Sequence, residues 1–362
     1  MDIVTPAERI VAFLVGLALI LITFHSVIET FVLPRGTRNG ISALVFRATR
    51  VLFDGYTAVL RSYKAKDAAM ALYAPVGLLL LPIAWLLTVF VGYAFIYWAV
   101  GVTPPVETLI LSGSSMLTLG FDAPKSIPAT FLAFSEAAVG LIIVALFISY
   151  LPTMYSSFSR RERDVTMLEV RAGTPPSAQN LLWRYSRIHG LDRLNDLWVT
   201  WEVWFADLEE THTSLAALSF FRSPQPDHSW ITAAGVVLDS AALTLAALDI
   251  PYDAQAALTI RAGYLALQRI CDFFDIPYTP RPKPDDPISV TQVEFDEVYD
   301  FLAENNVPLK PDREQAWRDY VGWRVNYDVP LLSLALLLMA PPAPWVSDRY
   351  PAWRRRKLFR PR

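Results

Sequence analysis

Thr103-Pro-Pro-Val-Glu-Thr-Leu-Ile-Leu-Ser-Gly-Ser-Ser-Met116, followed by Leu117-Thr-Leu-Gly-Phe-Asp122, is the stretch whose reading decides the fold. Its first part carries a short-helix signal. Thr103 is placed to cap, and Pro104 or Pro105 suits a first turn that needs no N–H partner. The helix is expected to end near Met116, and the residues from Thr118 to Asp122 follow no helical or strand period. Long apolar runs flank this stretch. Ala68 to Val100 holds no charged residue, and Pro128 to Tyr155 holds only Glu136. At 1.5 Å per residue each is long enough to cross a bilayer core of roughly 30 Å. Irregular backbone at membrane depth is tolerated only where it is buried in protein or lines a water-filled path. The loop is therefore expected to dip into the membrane between the two spans.

The segment Thr118-Leu119-Gly120-Phe121-Asp122 resembles the Thr-Val-Gly-Tyr-Gly filter of the potassium channel family, in its Thr-Leu-Gly-Phe variant. The resemblance covers roughly Met70 to Tyr155 and is to bacterial two-transmembrane pore-domain ion channels. It implies an outer helix, a pore helix, a filter and an inner helix, in an all-α membrane protein. It further implies that the carbonyls of Thr118, Leu119, Gly120 and Phe121, with the Thr118 hydroxyl, replace the hydration shell of a potassium ion. The pore helix would aim its negative C-terminal dipole at the ion. One filter segment per chain implies a homotetramer. The sequence departs from the family at Asp122, where a second glycine is expected. Either Asp122 takes the positive φ of that glycine, since Asp is one of the few residues that visits it, or one residue is missing and Asp122 is the acidic residue that follows the filter. Both readings put a ring of carboxylates near the mouth, which favours cations.

The chain has 362 residues, 53% of them hydrophobic, and a mean hydropathy of +0.32, too apolar for an ordinary soluble protein. A formal net charge of -3 argues against nucleic acid as a partner. The one cysteine, Cys271, excludes an intrachain disulfide framework and a cysteine-cluster zinc site, and reads as a small buried hydrophobe.

Upstream, residues 1–33 are expected to form an N-terminal transmembrane helix, apolar from Ile10 to Leu33 apart from His25 and Glu29. A cleavable signal peptide fits poorly, because the run is too long and no small-x-small cleavage site follows. His25 and Glu29 are four apart and share a face. They read either as an interfacial Glu29 with a packed His25, or as a pH-sensitive pair. Residues 34–67 carry Arg35, Arg38, Arg47, Arg50, Arg61, Lys64 and Lys66 against Asp54 and Asp67, the pattern of a cytoplasmic loop. Within it, Leu44, Val45, Val51, Leu52, Val59 and Leu60 recur at helical spacing. They predict an amphipathic helix on an anionic inner membrane surface, or a solvated helix packed on the pore module. In the outer helix Pro75 and Pro82 are expected to kink the span, with Tyr93, Tyr97 and Trp98 at the outer interface.

The pore module is expected over residues 68–159. Glu136 lies within the membrane, where an unpaired carboxylate is expensive. It reads as a support of the filter or pore helix, or as a structural hydrogen-bonding group. Gly140 resembles the flexible glycine of family inner helices, although packing beside Ala137 and Ala138 is the preferred reading. Pro152 reads as a bend at an inner gate or as the end of the span. Arg160, Arg161 and Arg163 mark the exit.

Residues 160–345 read as an all-helical cytoplasmic domain, in which the Trp201 to Leu248 region resembles cytoplasmic extensions of uncharacterised bacterial ion channel homologues, and a basic tail over 346–362 runs from Arg354 to Arg362. Helical periodicity predicts the inner helix continuing to Arg171, then Ala178 to His189, Asp192 to Thr211, Ser229 to Leu248, Ala254 to Phe274, Thr291 to Asn305 and Asp312 to Leu338. Gly173 to Ser177 breaks the first of these, with Ser177 as the next cap. Leu331 to Ala340 is too short to span and is expected to be a buried helix. Trp198, Trp201, Trp204 and Phe205 read as core. Glu209-Glu210-Thr211-His212 holds one Glu-x-x-His, but a di-iron bundle needs two. Thr211 and His212 are therefore expected at a capped, polar helix end. A membrane-tethered metalloenzyme would need metal at His212 or His228, and nothing here predicts bond-breaking chemistry, an enzyme or a cofactor. The expected function is passive conduction of a monovalent cation, preferentially potassium, by a multi-pass cell-membrane protein with its N-terminus extracellular and its C-terminal domain cytoplasmic. The alternative is a non-conducting receptor or scaffold with a degenerate pore.

Overall fold

The computed structural model describes residues 5–31, 33 and 40–349. Arg35 and Arg38 of the basic loop and the tail from Arg354 to Arg362 lie outside the described residues. Among those described the protein is all-helical, with no strand and a single isolated bridge between Leu248 and Leu309. The helices are α1 (Pro6–Phe31), α2 (Ile41–Ala58), α3 (Tyr63–Ala71), α4 (Tyr73–Ala99), α5 (Pro105–Met116), α6 (Ile127–Ala172), α7 (Ala178–Arg187), α8 (Leu194–Ser214), α9 (Trp230–Ala247), α10 (Ala254–Phe273), α11 (Gln292–Glu304), α12 (Arg313–Arg324) and α13 (Asp328–Leu338).

Four helical stretches are long and apolar enough to cross a membrane: α1, α3 with α4, α6, and α9. Burial separates them. The apolar windows of the first three are 33%, 39% and 28% buried, whereas that of α9 is 100% buried. A helix that is apolar all round and covered on every side is a core helix. The other three keep uncovered apolar faces of the kind lipid suits, as in a multi-pass membrane protein.

The chain forms two compact units, one up to Arg61 and from Ala69 to Ser156, the other of Ser62–Ala68 and everything from Ser157. In the first unit α1 lies against α4 where Gly16 meets Gly92. A Cβ on Gly16 would come 2.4 Å from the Gly92 carbonyl oxygen, so only glycine permits this approach. Small residues are how helices approach closely where lipid removes the hydrophobic drive. Polar side chains there are paired: Trp85 Nε1 donates to Ser26 Oγ at 3.0 Å, and Ser42 Oγ lies 3.1 Å from Ser26 Oγ and 2.8 Å from Thr30 Oγ1. Phe31 packs between Trp85 and Tyr150, tying α1 to α4 and α6. Helix α2 turns Thr49, Arg50 and Thr57 inward and leaves Leu44, Val51, Leu52 and Val59 exposed along one face, the amphipathic pattern expected from the sequence.

The second unit is built around α9, packed by α7, α10, α12 and α13, with α8 against α10. Trp198, Trp201, Trp204 and Phe205 are buried in it, as is Cys271, whose thiol burial pushes up beyond its ordinary range. A closed polar network sits at its centre. Arg324 Nη1 donates to both Asp239 oxygens at 2.6 and 2.7 Å, its Nε to Asp328 at 2.8 Å, and its Nη2 to the Trp345 carbonyl at 2.7 Å. Tyr320 and Tyr327 donate to Asp239 Oδ1 at 3.1 and 2.9 Å. Burial disfavours the Arg324 charge, but the carboxylates of Asp239 and Asp328 outweigh it and hold its pKa well above the ordinary value.

Several helix boundaries differ from the expectation for physical reasons. Asp312 to Leu338 is two helices, because Pro330 lacks an N–H and its ring would strike the carbonyl four residues back. The break falls at Val325–Tyr327, and Gln268 Nε2 uses the freed Asn326 carbonyl at 3.3 Å. Pro75 lies in the first turn of α4, where no N–H is required, while Pro82 is interior. Helix α8 runs on to Ser214 with His212 buried inside it, so Thr211 and His212 are not an exposed end. Arg161 Nη1 lies 3.2 Å from His212 Nε2, and a guanidinium only donates. Nε2 is thus the acceptor, and Nδ1–H points to Thr211 Oγ1 at 3.2 Å. Ser177 caps α7 as expected, accepting from the Asn180 N–H.

Candidate functional site

Helix α5 begins at Pro105 with Pro104, not Thr103, in the capping position, and no side chain caps it. Pro105 fits because a first-turn N–H is not needed. At its other end the chain wraps around Ser114. The N–H groups of Leu119 and Gly120 donate to the Ser114 carbonyl at 2.9 and 3.4 Å, and the Asp122 N–H donates to Ser114 Oγ at 3.1 Å. Thr118 and Gly120 have positive φ, 56° and 69°. Left-handed backbone is costly for a β-branched residue such as Thr118 and costs glycine nothing. Asp122 does not take a positive φ. The reading in which it replaces a glycine through its backbone angle therefore finds no support here.

The Thr118 hydroxyl donates to the Leu117 carbonyl at 2.7 Å. Its lone pairs are left to accept or to ligate a cation. Leu119 and Phe121 are 61% and 68% exposed, so the loop carries an uncovered apolar tip on the single chain.

Glu136 holds the surroundings of this loop together. It is 0% exposed. From α4 the Tyr97 hydroxyl donates to its Oε2 at 2.9 Å, and from α5 the Ser112 hydroxyl lies 2.5 Å from its Oε1. Ser112 Oγ is also 3.0 Å from the Phe90 carbonyl. One carboxyl thus joins α4, α5 and α6, and the neighbouring Ser135 Oγ receives the Tyr93 hydroxyl at 3.0 Å. Tyr93 and Tyr97 are accordingly buried between helices, with their hydroxyls on α6, and do not face outward.

Four residues along the same helix, Gly140 meets the end of α5. A Cβ there would come 2.6 Å from the Met116 carbonyl oxygen. Gly140 is therefore a close-packing residue that seats α5 immediately before the left-handed turn. Pro152 lies inside α6, which continues twenty residues beyond it to Ala172, so it does not end the helix. His25 Nδ1 and Glu29 Oε2 are 3.4 Å apart, with His25 exposed and Glu29 largely buried. This pair is formed, on α1.

The structure thus brings Thr118, Leu119, Gly120, Phe121 and Asp122 together with Glu136 and Gly140 through α5. Pro152 and the His25–Glu29 pair lie elsewhere in the first unit. Sequence reasoning missed Ser112, Ser114 and Tyr97. Their signal was the run Ser112-Gly-Ser-Ser115, four small residues of which three carry hydroxyls that must be satisfied in an otherwise apolar helix. No family model matches the chain, and neither a curated protein nor a solved structure is similar to it at a significant level.

Proposed function

We propose that this chain is one protomer of a passive cation channel, potassium-preferring, in which copies of the Thr118-Leu119-Gly120-Phe121 segment meet on a common axis in the membrane. The observation that carries this reading is a short helix ending in a turn with alternate left-handed residues, Thr118 and Gly120, between two apolar helices long enough to span. The Glu136 and Gly140 contacts support it, since they fix α5 from both neighbours. Four copies are the arrangement the filter resemblance implies, and the exposed Leu119 and Phe121 would be covered by it. In this reading Asp122 places a carboxylate at the mouth, and transport is down the gradient with no cofactor. In this reading the basic segment with Arg47, Arg61, Lys64 and Lys66 lies on the cytoplasmic side with its interfacial helix near anionic headgroups, which leaves the helical domain in the cytoplasm and the N-terminus outside.

Flux from liposomes loaded with potassium, with sodium and an impermeant cation as controls, tests the proposal. Potassium release should exceed sodium release and be abolished by Thr118→Ala and by Gly120→Ala. Liposomes that stay tight with the intact protein would refute conduction. They would favour a membrane receptor or scaffold, the reading to which the Asp122 departure points.

A further inference from the structure

Between α8 and α9 the chain makes a tight turn over Ala216–Phe220, and the residues at its end hold two distant parts of the second unit at once. Helix α6 approaches from one side. Arg161, buried, donates from Nη1 to the Leu218 carbonyl at 2.9 Å and from Nη2 to the Phe221 carbonyl at 2.7 Å. The Phe158 ring lies 5.7 Å from that of Phe221. The next residue faces the other way. Arg222 pairs with Asp67 of α3, donates from Nη1 to the Met339 carbonyl at 3.2 Å, and donates from Nη2 to the Leu338 carbonyl at 2.6 Å. The Tyr63 hydroxyl, also on α3, reaches the Met339 carbonyl at 3.3 Å. The Arg222 and Asp67 side chains are only 12% and 13% exposed, so water does little to replace either.

We infer that Phe221 and Arg222 form a yoke that couples the two segments leading into the first unit. Helix α3 runs through Leu72 into α4, and α6 is the unbroken helix that carries Glu136 and Gly140. Adjacent residues share a rigid peptide plane, so a shift of the Phe221–Arg222 link acts on both segments together. The end of α13, where Met339 is left-handed with φ 51°, anchors the same guanidinium. A change in the helical unit that moves α13 against α8 therefore reaches both leads through one peptide. The consequence for ion flow rests on the channel reading. The yoke itself does not.

Hydrogen exchange on the full-length protein in bilayer discs separates the two. In Arg222→Ala, exchange should accelerate about tenfold or more, as expected for losing several buried charge-assisted hydrogen bonds, at Tyr63–Ala71 and at Ser157–Ala172 together. Asp67→Asn, which removes only a charge, should produce a weaker effect of the same pattern, and Arg222→Lys should retain most protection. Acceleration confined to Tyr63–Ala71 and the end of α13, with Ser157–Ala172 as protected as before, would reduce Arg222 to a local helix cap and overturn the yoke. Potassium flux read on the same variants tests the regulatory consequence. It should change in Arg222→Ala and be restored by Arg222→Lys. Loosening of both leads with unchanged flux in a conducting protein would sink that consequence. A wild type that passes no ion sinks the channel reading while the exchange result still decides the yoke.

Discussion

Tyr97→Phe deletes one oxygen and, with it, the hydrogen bond on Glu136 Oε2 at 2.9 Å. Glu136 is 0% exposed, so water does not take the vacated place. Leaving a buried polar atom unpaired costs about 1–3 kcal/mol, which is roughly a 5- to 150-fold shift in the equilibrium that opens this helix junction. Ser112→Ala is expected to cost a similar amount through Glu136 Oε1, since the Phe90 carbonyl lies inside α4 and keeps its helical partner. The decisive variant is the triple Tyr97→Phe/Ser112→Ala/Glu136→Leu. Removing donors and acceptor together leaves no orphan, and the triple should lie within about 1 kcal/mol of wild type, above either single. Titration of the purified protein with a denaturing detergent, read as midpoint and slope, measures all four. A triple variant that falls by the sum of the single losses would refute the hydrogen-bond argument. So would a Tyr97→Phe protein within a few tenths of a kcal/mol of wild type.

Gly140→Val should destabilise the first unit by about 1–3 kcal/mol in the same titration, because even its Cβ would sit 2.6 Å from the Met116 carbonyl. Gly120→Ala should cost about 1–2 kcal/mol, since it forces an L side chain to φ 69° with open space around it and no compensating contact. In the second unit, Asp239→Ala leaves Arg324 without its bidentate partner in a fully buried site, and a loss of about 3–5 kcal/mol is expected in thermal or guanidinium melts. His212 adds a pH dependence. Burial, and then Arg161, hold its pKa well below the ordinary 6.5, so the folded state keeps it neutral. The unfolded chain takes up the proton first as pH falls, and stability is complete above about 6.5 and declines below it by up to about 1.4 kcal/mol per pH unit. His212→Gln, melted from pH 8 to 5, should lack that slope, and an unchanged slope would mean another group carries it.

The long apolar helices α1, α4 and α6 were legible from length and composition, although α9 meets the same test and burial marks it as a core helix. A run of more than twenty apolar residues has few other fates. Helix α5 was legible through Pro104 and Pro105, and its end near Met116 through the loss of helical period from Thr118 to Asp122. What the sequence concealed is what depends on the partner. Tyr97 near the end of an apolar run reads as an interfacial anchor until α6 brings Glu136 beside it. Glu209-Glu210-Thr211-His212 reads as a polar end because local composition says nothing of the Arg161 guanidinium and Trp230 ring that enclose His212. Arg161 itself, one of three basic residues expected to flank a membrane exit, is buried among carbonyls. The division at Val325–Tyr327 was within reach, since Pro330 forbids a continuous helix across it.

The two units solve the same problem, a buried polar group, by different chemistry. In the second unit buried charge is met by charge: Arg324 with Asp239 and Asp328, Arg161 with Glu162. Burying such pairs is costly, and around Arg324 the closed network of hydrogen bonds offsets part of the desolvation. In the first unit Arg50 is paired with Asp54 on α2, but the polar groups buried among the long apolar helices are met by hydroxyls and an indole N–H: Ser26 by Ser42 and Trp85, Ser135 by Tyr93, Glu136 by Ser112 and Tyr97. A hydroxyl can also bond back to its own helix, as Thr23, Thr30 and Thr88 do, so it is satisfied before its partner helix arrives. An arginine cannot do so cheaply in hydrocarbon. Glu136 is the one buried carboxyl among the described residues of this unit. It sits on the helix that also carries Gly140 against the end of α5. That placement is what makes the α5–α6 contact, rather than the apolar spans around it, the part of the first unit where a single substitution should change behaviour more than it changes the fold.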